Sequence, residues 1–217
     1  MDVFVTGGTG YLGRAMIGAL LNRAHAVRAL TRTTSLVRVP AGATPVVGDV
    51  LNYATFIDAL STTTTLVHLV GTSHPGPSKA AEFQRVDLAS IRSSVEAARR
   101  APIAHLVYVS VAQPAPVMRA YVDARAKGEE VIVEAGLTAT MVRPWYVLGP
   151  GHWWPIALKP MYWLAERLPA TRETAQRMGL VTLTQMIAAL VQAVEHPPAA
   201  GTVRIVDVPG IRAARLA

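Results

Sequence analysis

Residues 3–13, Val3-Phe4-Val5-Thr6-Gly7-Gly8-Thr9-Gly10-Tyr11-Leu12-Gly13, constrain the fold more than any other stretch. A short apolar run ends in a glycine-rich turn. Leu12, Ala15, Met16, Ala19 and Leu20 then fall on one face at helical spacing. Gly8-x-Gly10-x-x-Gly13 fits G-x-G-x-x-G, and Gly7, Gly10 and Gly13 are also spaced three apart. In a strand–turn–helix context this is the dinucleotide-binding fingerprint. The first glycines permit a tight turn, the middle one lets backbone approach a pyrophosphate, and the last lets helix and strand pack closely. The phosphates then sit on the amides that open the helix. The cofactor contacts expected here are Gly7, Thr9, Gly10, Tyr11, Leu12 and Gly13.

Further strands are predicted at 26–32, 44–47, 66–70, 105–110, 138–143 and 202–206. Helices are predicted near 55–60 and over 80–100, 117–135 and 183–195, the last amphipathic, and Gly136 is placed to cap the third of these. Strands alternating with helices predict an α/β fold, a Rossmann-type doubly wound parallel sheet with helices on both faces. At 217 residues the chain is read as one domain, with 145–180 as a small substrate-pocket or lid region. The tail 212–217 reads as frayed.

The end of the second strand bears on cofactor choice. An NAD site usually carries an acid there, on the ribose 2′-hydroxyl. Here Thr31 and Arg32 stand instead, followed by Thr33, Thr34 and Ser35. A guanidinium matches a phosphate, so NADP(H) is expected over NAD(H), with Arg32 on the 2′-phosphate and Thr31 or Thr33 assisting. Arg28 points to the opposite face by strand alternation. After the third strand, Asp49 and Val50 either flank the adenine or, for Asp49, cap the next helix. Val70 and Gly71 bring backbone close to a ribose. His68 reads as a satisfied core histidine, and His74 lies in a loop within reach of substrate.

Composition narrows the classes. The chain has no cysteine, which excludes disulfides, thiolate metal sites and a cysteine nucleophile and suits a cytoplasmic protein. The histidines are scattered, so no metal site is expected. Met1 leads almost directly into the first strand, leaving no room for a signal peptide, and no uncharged apolar run is long enough to cross a bilayer. The net charge is +7, yet the arginines are dispersed without a basic tract. That pattern fits an anionic ligand or a proteome bias toward arginine rather than nucleic acid. The four tryptophans Trp145, Trp153, Trp154 and Trp163, with Tyr146 and Tyr162, read as core, as the wall of a substrate pocket, or as a segment touching a membrane surface.

TGGTGYLG near the start, VRALTR, VGD, YVS and RPWYVLGPG together resemble the atypical or extended short-chain dehydrogenases/reductases, of the NmrA-like and complex I accessory-subunit-like type. The similarity runs over nearly the whole chain. It implies a Ser–Tyr–Lys set that handles the proton accompanying hydride transfer. Ser110 matches the serine and Tyr121 the tyrosine, but Arg125 stands where lysine is expected. Positions i and i+4 share a helix face, so Arg125 can still face Tyr121, where its cation would favour phenolate. It cannot lose a proton as lysine can, and Lys127 points elsewhere. The resemblance also implies that Arg143 and Pro144 shape the nicotinamide pocket. The function implied is hydride transfer between NADPH and a small apolar carbonyl or alcohol. The alternative is a non-catalytic NAD(P)H sensor or an assembly protein.

Overall fold

Side-chain alternation along each strand sets the layers. The computed structural model describes residues 1–151, 167 and 169–216. Strands β1 (Asp2–Thr6), β2 (Ala26–Thr31), β3 (Thr44–Val47), β4 (Thr65–His68), β5 (His105–Val109), β6 (Ala139–Val142) and β9 (Val203–Val206) form a seven-stranded sheet in the order β3-β2-β1-β4-β5-β6-β9. Every neighbouring pair is parallel. Val3, Val5, Val67, Val107 and Val142 face one side, in a core with helix α1 (Tyr11–Asn22), helix α6 (Leu183–Glu195) and helix α7 (Val208–Ala213). Phe4, Leu66, Leu106, Tyr108 and Met141 face the other, in a core with helices α3 (Ala89–Arg100) and α4 (Arg119–Glu134). A strand buried on both faces must be apolar throughout, which is why these read as continuous runs rather than alternating ones.

The order reverses between β1 and β4, and the crevice at their carboxyl ends is where ligands of such sheets bind. Strands β7 (Tyr146–Leu148) and β8 (Leu180–Thr182) pair as a separate two-stranded ribbon beside that crevice, with helix α5 (Pro169–Arg177) leading into β8. The lid reading thus falls partly on described residues, while Trp153, Trp154, Tyr162 and Trp163 lie outside them.

The structure corrects several expectations. The helix predicted at 55–60 is two 3₁₀ turns, Tyr53–Thr55 and Ile57–Leu60. Thr55 Oγ1 bonds locally to backbone of Asp49 and Asn52, which competes with a regular helix. The 80–100 run holds a π-helical stretch, Phe83–Leu88, between α2 (Ala80–Glu82) and α3. Helix α6 is enclosed rather than simply amphipathic, with Met186 to Val191 all buried. The tail is not frayed over its described length. Asp207 caps α7 by accepting from Gly210 N at 3.0 Å, and Ile211 and Ala214 are buried. Gln185 and Gln192 of α6 donate to the carbonyls of Arg212 and Arg215.

Candidate cofactor and substrate site

The glycine turn joins β1 to α1. Gly7 has φ +76°, a conformation that favours glycine. A Cβ on Gly7 would press on the Leu69 backbone just after β4, and one on Gly13 would collide with Gly7 O. Gly10 is the N-cap of α1, with no side-chain cap and no acid in the first turn, and Gly10 to Gly13 line the crevice. The residues here fit a pyrophosphate: an uncapped helix N-terminus would offer it amide donors, and no carboxylate stands in the first turn to repel it.

Adjoining cavities follow the carboxyl edge of the sheet. One of about 320 Å³ is lined by Gly7, Thr9, Thr31, Arg32, Asp49, Val50, Val70 and Gly71. The next, about 360 Å³, shares Gly7 and Gly71 and adds Gly10, Tyr11, Leu12, Gly13, Ser110, Tyr121, Arg125 and Pro144. The expected glycine-turn, Thr31, Arg32, Asp49, Val50, Val70, Gly71 and Pro144 contacts and the Ser110, Tyr121 and Arg125 set therefore line this cleft, whereas Thr33 and Arg143 do not. A third cavity of about 700 Å³ continues from it, walled by Tyr11, Leu12, His74, Val111, Met118, Tyr121, Trp145, Tyr146 and Val147. Its described lining is almost wholly apolar and aromatic.

Arg32 is exposed at the end of β2, whereas Arg28 turns away and donates to Thr62 and Thr63 at 2.7 and 2.8 Å. Asp49 Oδ1 accepts from Leu51 N at 2.9 Å, and the cap of the following turn is Asn52, not Asp49. His68 is fully buried beneath the cleft. Its Nδ1 meets Thr6 Oγ1 and Ser94 Oγ, both at 3.0 Å, and Nε2 meets Ser90 Oγ at 3.3 Å. Burial, helped by the Arg125 charge, lowers its pKa to about 3, so it is a neutral core histidine. His74 does border the apolar cavity. Arg143 does not border the cleft. It forks onto Glu129 of α4 on the far side of the strand end, since successive strand residues face opposite ways.

Ser110 Oγ, just after β5, is buried with no hydrogen-bond partner among the described residues. An orphaned hydroxyl in a cleft is what an incoming polar atom would satisfy. Tyr121 sits on the first turn of α4, its ring 5.1 Å from that of Phe83. One turn on, Arg125 is buried between the rings of Tyr108 and Tyr121, 5.8 and 5.4 Å away. Its Nη1 donates to Val109 O at 2.9 Å, and its Nη2 lies 2.8 Å from Asp87 Oδ1. That last approach is off the hydrogen-bond direction, so the contact is chiefly one of charge. Burial pulls the Arg125 pKa down, but Tyr121, Tyr108 and Asp87 outweigh it, and the group is held charged. Burial pushes the Tyr108 hydroxyl up to about 12, against the pull of Arg125.

Sequence reasoning missed Asp87 and Thr72. Asp87 lies wholly buried in the π-helical stretch, and its Oδ2 accepts from Thr72 N at 2.9 Å and Thr72 Oγ1 at 2.6 Å. A signal was available. Phe83, Asp87, Ser90, Ile91 and Ser94 form one helical stripe, and a carboxylate on an inward stripe calls for a buried cation.

Residues 7–150, more than half of the chain, match the family described as NAD(P)H-binding. The chain belongs to that family. This NAD(P)H-binding protein is 30% identical over 171 residues to a 4-hydroxy-2-methyl-3-oxo-4-farnesyl-3,4-dihydroquinoline-1-oxide ketoreductase of Stigmatella aurantiaca, covering 69% of this chain and 51% of that one. It is 28% identical over 216 residues to a ceramide reductase of Caulobacter vibrioides (strain NA1000 / CB15N), covering 95% and 64%. The chain thus spans about half to two thirds of these relatives. In fold it is similar to a short-chain dehydrogenase/reductase superfamily protein from Agrobacterium tumefaciens with bound NAD, at TM-score 0.68, 16% identity and coverage of 98% and 81%. It is similar likewise to MoeE5 in complex with UDP-glucuronic acid and NAD, at TM-score 0.72, 19% identity and coverage of 95% and 75%. Among the described residues no helix is long and apolar enough to cross a membrane, and no cluster of metal-ligating side chains occurs.

Proposed function

We propose that this chain is an NADP(H)-dependent oxidoreductase of the short-chain dehydrogenase/reductase type, acting on an apolar carbonyl or alcohol. One observation carries the reading: an apolar cavity opens onto the dinucleotide cleft at Tyr121, beside the partnerless hydroxyl of Ser110. The bound dinucleotide supplies a hydride donor or acceptor. Ser110 Oγ–H donates to the substrate oxygen and holds it. Tyr121 gives that oxygen its proton in reduction and takes it back in oxidation. Arg125 keeps its proton throughout and acts as an electrostatic and orienting group. The aromatic wall of Tyr11, Trp145 and Tyr146 excludes water from the reacting carbon.

Preference for the 2′-phosphorylated cofactor rests on Arg32 at the edge of the adenosine cavity and on the absence of an acid at the end of β2. The relatives named as a ketoreductase and a ceramide reductase support carbonyl reduction. We take the chain as one NAD(P)-binding domain, with the described part of 145–180 contributing Trp145, Tyr146 and Val147 to a small substrate pocket or lid. A cysteine-free chain suits work in the cytoplasm. A second reading, a sensor or assembly module that holds NADPH without turnover, is favoured by the ion pair that engages Arg125.

The test is a fluorescence titration with NADPH and NADH, followed by NADPH consumption across a panel of apolar ketones. Tight NADPH binding with turnover supports the oxidoreductase. Tight binding with none across the panel supports the sensor. Binding of neither cofactor overturns both.

A further inference from the structure

The Asp87–Arg125 pair lies where the glycine turn, Ser110 and Tyr121 meet. Arg125 lines the cleft, and a Cβ on Gly71 would run into its Nη2. Asp87 stands behind it, fully buried, 2.8 Å from the guanidinium. The other described groups packed around Arg125 carry no compensating charge. Tyr108 and Tyr121 present ring faces, Val109 a carbonyl, and His68 is neutral. Among the described residues Asp87 is therefore the one carboxylate ion-paired with this cation. A lone buried cation at this point would act strongly across a low-dielectric gap, while a matched pair has little net field.

We propose that Asp87 sets how the site discriminates between the oxidised and the reduced cofactor. The inference rests on the proposed function, which puts the nicotinamide end of the dinucleotide in this part of the cleft. The oxidised ring bears a positive charge and the reduced ring is neutral. An uncompensated Arg125 would repel only the oxidised form. By cancelling that charge, Asp87 lets both forms bind and keeps hydride transfer workable in both directions. Its other oxygen holds Thr72 N and Oγ1, so the same carboxylate also fixes the loop after β4 against the cleft. Asp87 is thus a positioning residue that acts through Arg125.

Calorimetric titration of the whole protein with NADP⁺ and NADPH tests this through the ratio of the two dissociation constants, in which any change affecting both forms equally cancels. Asp87→Asn keeps an acceptor for Thr72 but removes the charge, and the ratio should move about tenfold in favour of NADPH. Asp87→Asn with Arg125→Met removes both charges and should return the ratio toward native. Because Asp87→Asn strands a buried guanidinium, Arg125→Gln at mildly alkaline pH provides an independent arm. Glutamine can still donate to Asp87, and the unmatched carboxylate should move the ratio toward NADP⁺. A native ratio in Arg125→Gln, or in a folded Asp87→Asn, overturns the role of Asp87 and leaves the oxidoreductase standing. Failure of the native protein to bind either form overturns both.

Discussion

Arg32 stands exposed in the lining of the cavity proposed for the adenosine, at a position where a carboxylate would reject a 2′-phosphate. Arg32→Asp should weaken NADPH binding by about 10- to 100-fold, the worth of a charge-assisted hydrogen bond, and change NADH binding far less. Titration of the variant with each cofactor checks this, and equal losses would remove Arg32 from the site. Tyr121 carries the proton in the proposed chemistry. Tyr121→Phe should lower the turnover rate by roughly 10²–10⁴ while leaving NADPH affinity close to native. An unchanged rate would sink the assignment. Arg32 is read from the end of a strand and Tyr121 from the family resemblance, and the structure puts both at the cleft. Asp87 was not, because its role depends on a partner 38 positions along the chain, and spacing rules reach only a turn or two.

Elements were legible where one signal sufficed. The β3 and α6 boundaries coincide with those read from the apolar pattern, and Gly136 adopts φ +67° just beyond α4, as its capping position demands. Elements went astray where side chains compete with the backbone, as Thr55 does, or where tertiary contact orders a short segment that holds Pro209 and Gly210, as for α7. The start of α6 offers a test of how much local chemistry contributes. Thr182 Oγ1 accepts from Gln185 N at 3.2 Å, and Gln185 Oε1 accepts from Thr182 N at 2.9 Å, a reciprocal capping box. Thr182→Ala should cost about 1 kcal/mol, seen as a lower denaturant midpoint with unchanged slope.

Taken whole, the molecule keeps neutral histidines inside, and this makes it sensitive to acid. Burial lowers His68 to about 3 and His105 to about 4, both below the ordinary value of 6.5. The unfolded chain therefore takes up protons first. The stability these groups contribute is complete above about 6.5 and is lost as pH falls toward 4 and then 3, by about 1.4 kcal/mol per unit for each histidine. Glu195 works in the same direction lower down. Its bond from Arg23 holds it at about 2, so its contribution fades between 4.5 and 2. Thermal melts should fall steadily from pH 7 to 4, and a flat profile would show that the histidines titrate normally. The docked helix α7 has a consequence of its own. Arg212 donates from Nε to Leu180 O at 3.0 Å, Leu180 pairs with Tyr146 across the small ribbon, and Tyr146 and Val147 wall the apolar cavity. Substrate preference should therefore be tunable by remote control: variation around residue 212, in a segment absent from the described lining of these cavities, would re-aim the rim of the pocket as a hinge pin re-aims a door.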